Sequence, residues 1–84
     1  MTNQEFDILD ELYFTISFDD LMSHLDFEEG QLKEELSALI EKGWVKCLQK
    51  HTDEEVYDLQ NFQEEFKNYN YLATKAGLLA HNSR

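Results

Sequence analysis

Between residues 4 and 14 the apolar positions Phe6, Leu9, Leu12 and Tyr13 recur at three- and four-residue intervals, with Ile8 beside them and Asp7, Asp10 and Glu11 in between. A 3.6-residue turn brings such positions to one face, so the spacing predicts an amphipathic first helix. Phe14, Thr15 and Ile16 follow as a short β-prone link. Ser17, with Asp20 three residues on, has the form of a capping box: the hydroxyl accepts from a free backbone N–H and the acid reaches back to the amide of the cap. A second helix is expected over 18–25, turning Phe18, Leu21 and Leu25 inward. Asp26 and Glu29 repeat the signature, and Leu32, Leu36, Leu39 and Ile40 carry the helical period through a third helix over 27–42. Gly43 ends it, because glycine takes the left-handed conformation without a Cβ clash. Gly30, in the first turn, costs about 1 kcal/mol relative to alanine. Either the close approach of a neighbouring helix offsets that cost or an open surface tolerates it.

From Trp44 to Gln49 the period changes to two, with Val45 and Cys47 on one face and Trp44, Lys46 and Leu48 on the other. This predicts a strand with apolar residues on both faces. Residues 50–55 form a polar turn, after which Leu59, Phe62, Phe66 and Tyr69 fall at helical spacing and predict an additional helix near 59–68. A second strand over 70–73 through Tyr71 and Leu72, a cap at Thr74 and a closing helix through Ala76, Leu78, Leu79 and Ala80 complete the pattern. The last four residues are expected to fray. The predicted core is Leu9, Leu12, Leu21, Leu25, Leu32, Leu36, Leu39, Ile40, Val45 and Leu72.

A chain of 84 residues supplies one hydrophobic core, so residues 1–84 are expected to form a single domain. There is no proline, internal repeat or Gly/Ser-rich linker to divide it. No apolar run approaches the roughly 20 residues of a membrane span, and the opening MTNQEFDILDEL is acidic where a secretory signal is basic and then apolar. A soluble, cytoplasmic protein is the expectation.

The order helix, short β link, helix, helix, strand, strand, helix is that of a known architecture. The segment SFDDLMSHLDFEEGQLKEELSALIEKGWVKCL resembles the helix-turn-helix and first wing strand of winged-helix domains, with Leu36, Leu39, Ile40, Lys42 and Gly43 closing the third helix before Trp44 and Val45. The ending YLATKAGLL, from Tyr71 to Leu79, resembles the exit from the second wing strand in regulators of the MarR and PadR kind. The resemblance implies a mainly α fold with a small β-wing, a winged-helix-like helix-turn-helix domain. It departs from that pattern at 50–69, too long and aromatic for a plain wing tip, which is where the added helix falls. Function does not follow from such a fold, since it serves DNA binding and protein assembly alike.

Charge bears on which of these applies. The net charge is −11, and residues 1–41 hold twelve of the eighteen acids with Lys33 as their one base, whereas residues 42–84 are balanced. If the third helix entered a major groove it would present Glu28, Glu29, Gly30, Gln31, Lys33, Glu34 and Ser37. Of these only Gln31 and Lys33 suit base edges, and the carboxylates would meet phosphates. Affinity for duplex DNA rests on Lys and Arg paired with phosphates. The candidate DNA contacts are therefore few: Gln31, Lys33, Lys46, Lys50 and Lys75.

The acids of the third helix are either a solvated face, supported locally by Glu29 and Lys33 at four-residue spacing, or a docking surface of Glu28, Glu29, Gln31, Lys33 and Glu34 for a basic protein partner. The aromatic surplus either completes the core or forms an interface, and Phe62, Phe66 and Tyr69 are the candidates for a homodimer or partner contact. A single cysteine, Cys47, rules out an internal disulfide and a multi-thiolate zinc site. His24 with Asp20, and His51 with Asp53, are too few for a metal site, and no nucleophile with a matched base or phosphate loop occurs. No cofactor and no enzymatic activity are expected. The expected role is regulation through protein–protein interaction, with DNA-binding transcription regulation as the alternative.

Overall fold

The structure is a computed structural model, and it describes residues 1–83. In chain order it contains α1 (Asn3–Glu11), β1 (Ile16–Ser17), α2 (Phe18–His24), α3 (Glu29–Glu41), β2 (Val45–Gln49), α4 (Phe62–Glu65), a 3-10 turn (Phe66–Asn68), β3 (Tyr69–Ala73) and α5 (Lys75–Asn82). The described residues thus form five α-helices and one three-stranded antiparallel sheet with the spatial order β1-β3-β2. β3 occupies the middle. Ile16 lies opposite Tyr71 on one side, and on the other the pairing runs from Val45 opposite Ala73 to Gln49 opposite Tyr69.

Local chemistry accounts for most of the helix ends. Thr2 caps α1 through a capping box with Glu5, a Thr-x-x-Glu signature written in the sequence. Ser17 accepts from the Asp20 amide at 3.1 Å and starts α2. Asp26 does not cap α3. Glu28 is still extended, so the helix begins only at Glu29, three residues past Asp26, and no side chain caps it. At the other end Gly43 has φ 79°, its N–H bonds Ile40 O and the Trp44 N–H bonds Leu39 O, both at 3.0 Å, the paired closure of a Schellman motif. Thr74 caps α5 by accepting from the Gly77 amide at 3.1 Å, while its hydroxyl donates to Gly43 O at 2.6 Å, tying the start of α5 to the end of α3.

The two glycines inside helices differ. Nothing lies within 4 Å of the Cβ position of Gly30, so no neighbouring helix approaches it and it is a tolerated surface glycine. At Gly77 a Cβ would stand 2.1 Å from Trp44 O. Only the absence of a side chain lets α5 pack against the α3–β2 connection.

The core gathers Ile8, Leu9 and Leu12 of the first helical segment, Phe18 and Leu21 of α2, Leu32, Leu36 and Leu39 of α3, and Val45 and Cys47 of β2. Three expected core residues are displaced: Leu25, Ile40 and Leu72 are only half-buried. For Leu72 the reason is register. The face of β3 aligned with Val45 and Cys47 carries Tyr69, Tyr71 and Ala73, so Leu72 falls on the opposite face. Tyr71 is wholly buried because its hydroxyl finds a partner, donating to Phe66 O at 2.5 Å. The inward stripe of α1 is likewise rotated, since Ile8 is buried while Tyr13 stays exposed beyond the end of the helix.

Glu5 is the one buried charge among the described residues. Its carboxylate accepts from the Lys42 ammonium on one oxygen and from the Thr2 amide at 2.9 Å on the other. Burial raises its pKa, but Lys42 and the backbone and hydroxyl of Thr2 outweigh that and hold the carboxyl below the ordinary glutamate value. The pair pins α1 to the end of α3, and the same ammonium lies 4.8 Å from the Trp44 ring centroid.

Candidate functional site

The exposed face of α3 is the candidate contact surface, and the packing of the segment between β2 and β3 decides what remains of it. β2 turns back at residues 50–53. Residues 54–56 then run beside it, with the Gln49 amide bonding Glu54 O and the Val56 amide bonding Cys47 O, each at 2.8 Å. The helix expected over 59–68 is shorter than predicted. The Asp58 carboxylate accepts from the Gln60 amide at 3.1 Å in a local turn, so regular helix begins only at Phe62 and tightens to a 3-10 turn at Phe66.

This segment lies along one flank of α3. Lys67 bonds Glu29 at 2.7 Å, and the Lys33 ammonium sits 5.6 Å from the Phe66 ring centroid and 3.7 Å from Glu34. The expected Glu29–Lys33 pairing along the helix is thus replaced: Glu29 is bonded by Lys67 from outside α3, and Lys33 lies against the Phe66 ring and its helix neighbour Glu34. Ser37 and Ile40, further along the same flank, face Leu59, Phe62 and Gln63 across a small groove of about 110 Å³. What α3 leaves to solvent is a strip containing Gly30, Gln31, Glu34, Ala38 and Glu41, preceded by Glu28. Within α3 that strip holds carboxylates and no cation; the exposed Lys42, just beyond Glu41, is bonded to Glu5. Lys33, half-buried on the covered flank, does not join the strip.

Phe62, Phe66 and Tyr69 are not available to a second subunit. They are 5%, 9% and 8% exposed, with Phe66 edge-on to Phe18 at 5.0 Å and Phe62 stacked near Tyr69 at 6.5 Å between centroids. Their helical spacing reflects insertion into the chain's own core, where the 3-10 turn packs on α2 through Phe66 and Phe18. The exposed large apolar side chains are others, chiefly Phe14 and Tyr57.

The remaining lysines do not converge. Lys46 pairs across the sheet with Leu72, Lys50 follows the far end of β2, and Lys75 opens α5 beside the near end. Lys50 and Lys75 are thus separated by the length of a five-residue strand, roughly 16 Å. Lys50 lines an open polar depression with Gln49, His51, Thr52, Glu54 and Asn68.

The histidines find other partners than their sequence neighbours. His24 bonds Glu11 at 2.8 Å, joining α2 to α1. His81, expected in a frayed tail, lies within α5, stacked on Phe6 with centroids 4.3 Å apart and bonded to Asp10 at 3.1 Å and to the Tyr13 hydroxyl at 3.0 Å. It fastens α5 onto α1, and no local signal marked it. Burial pushes the Cys47 thiol up to about 12, which leaves it un-ionised and inert. Among the described residues no three His, Cys, Asp or Glu side chains gather as metal ligands, and no helix is long and apolar enough to cross a membrane. Comparison with protein-family models, curated proteins and solved structures finds no match to this chain.

Proposed function

We propose that this chain is a winged-helix-like, non-enzymatic regulatory module that acts by binding a basic protein partner through the outer strip of α3. The architectural part of this reading is supported by the succession of helices and strands with β3 between β1 and β2, together with the resemblance of residues 17–48 and 71–79. The observation that carries the functional part is the composition of the exposed strip. Gln31, Glu34 and Glu41 face solvent, Glu28 precedes them, and the one lysine of the helix is half-buried against Phe66 on the covered flank, reaching Glu34 at 3.7 Å. Such a strip repels phosphates and attracts cations.

DNA-binding regulation is the competing reading, and what favours it is that Lys46, Lys50 and Lys75 form no ion pair among the described residues. A titration of labelled mixed-sequence duplex at low salt separates the two. The protein reading expects no binding to duplex but salt-sensitive binding to a labelled lysine-rich peptide, lost in a Glu34→Lys, Glu41→Lys double variant. Micromolar or tighter binding to duplex, abolished by Lys46→Glu with Lys50→Glu, would overturn it in favour of DNA.

A further inference from the structure

We propose that the groove between α3 and residues 59–63 is an anchor pocket for one branched aliphatic side chain carried on a lysine-rich segment of the partner; this rests on the protein-binding reading above. The groove holds about 110 Å³ and is lined by half-buried Ile40 and Leu59 and buried Phe62, with Ser37 and Gln63 adding polar groups. The space is smaller than the closed cavity of about 150 Å³ that admits benzene and is of the size of one branched aliphatic side chain. Its wall mixes the apolar side chains of Ile40, Leu59 and Phe62 with polar groups of Ser37 and Gln63, and a concave site that takes one apolar anchor and excludes water around it is a usual setting of an interface hot spot.

The surrounding charge selects the rest of the ligand. Glu41 follows Ile40, Asp58 precedes Leu59, Glu64 follows Gln63 and Glu34 lies one turn before Ser37, all four exposed. Lys33, within one turn of Ser37, is held against Glu34 and the Phe66 ring, and Lys67, four residues after Gln63, against Glu29, so the carboxylates of the border with no ion pair among the described residues are Glu41, Asp58 and Glu64. A polyanion is repelled from this border, and so is a second copy of a chain whose net charge is −11. A segment with lysines on both sides of the anchor meets complementary charge.

The test uses the full chain and two fluorescein-labelled peptides at low salt, Ala-Lys-Lys-Ala-Leu-Ala-Lys-Lys-Ala and its twin with serine in place of leucine, read by anisotropy. The leucine peptide should bind about tenfold more tightly. Two groove variants, Ser37→Phe to fill it and Ile40→Ser to remove part of its wall, should each bring the leucine peptide to the affinity of the serine peptide. Thermal melts verify that both variants fold, and either folded variant alone suffices. Equal affinity of the two peptides for the wild-type chain, or a leucine preference that survives a folded groove variant, overturns the pocket while leaving the acidic-strip reading intact. Absence of binding by either peptide overturns both.

Discussion

Replacing Gly77 by alanine adds one methyl group to α5, and the structure defines the space that group must enter. The new Cβ would stand 2.1 Å from Trp44 O, 2.9 Å from its carbonyl carbon and 3.1 Å from its Cα, whereas ordinary contact begins at 3.4 Å. All three are backbone atoms, so no rotamer change relieves the clash, and α5 must retreat by roughly 1 Å. That carbonyl already accepts the Thr74 amide at 2.9 Å, and the Thr74 hydroxyl holds Gly43 O at 2.6 Å, so the retreat stretches the bonds that dock the helix. Overpacking costs about 1–3 kcal/mol and a weakened hydrogen bond about 0.5–1.5 kcal/mol. Alanine's better helix propensity returns about 1 kcal/mol, leaving a net loss of roughly 1–3 kcal/mol. In a domain of this size that lowers Tm by about 4–24 °C. Gly30→Ala is the matched control. It makes the same chemical change in a helix with open space around it, and should raise stability by up to about 1 kcal/mol. Urea midpoints and thermal melts of the two variants read opposite signs. A Gly77→Ala protein as stable as the wild type would refute the close packing of α5 on the α3–β2 connection.

Leu36→Ala should cost about 2–5 kcal/mol in denaturant melts because Leu36 is wholly buried; a loss under about 1 kcal/mol would mean the inward face of α3 is misassigned. Lys42→Met strands the buried Glu5 carboxylate and should destabilise by about 1–3 kcal/mol at pH 7, less after Glu5→Gln, which a double-mutant cycle measures. Because the folded pKa of Glu5 is lowered, its contribution is complete above the ordinary glutamate pKa of about 4.3 and is lost as pH falls through the folded value. The acid limb of the stability curve should therefore be shallower in Glu5→Gln, and an unchanged limb would refute the pairing. With its thiol at about 12, Cys47 should react with iodoacetamide at pH 8 at least about 100-fold more slowly in the folded chain than in urea; equal rates would show that it is not buried.

Much of the architecture was legible because it is written in short-range chemistry. Ser17, Gly43 and Thr74 each act within three or four residues, so their roles as cap, stop and cap follow from residue type and spacing. The leucines of α3 report their shared face through a period that depends only on the helix. The acidity of α3 was equally plain, since formal charge does not depend on folding.

What the tertiary structure decided are facts of pairing between distant segments. A strand has two faces, and alternation cannot say which is buried; the alignment of Cys47 with Tyr71 put Tyr71 inside and Leu72 aside. The apolar period of Phe62, Phe66 and Tyr69 was visible, but whether it met a second subunit or its own chain depended on the Phe18 ring, more than forty residues away in sequence. The glycine at position 77 was required by a carbonyl at position 44, and the histidine at position 81 was ordered by Phe6, Asp10 and Tyr13. The fate of Lys33 was set in the same way. Its neighbours in sequence promised a bond to Glu29, but Lys67 took Glu29 and Phe66 took the lysine, because side chains pair with whatever the folded backbone brings within reach.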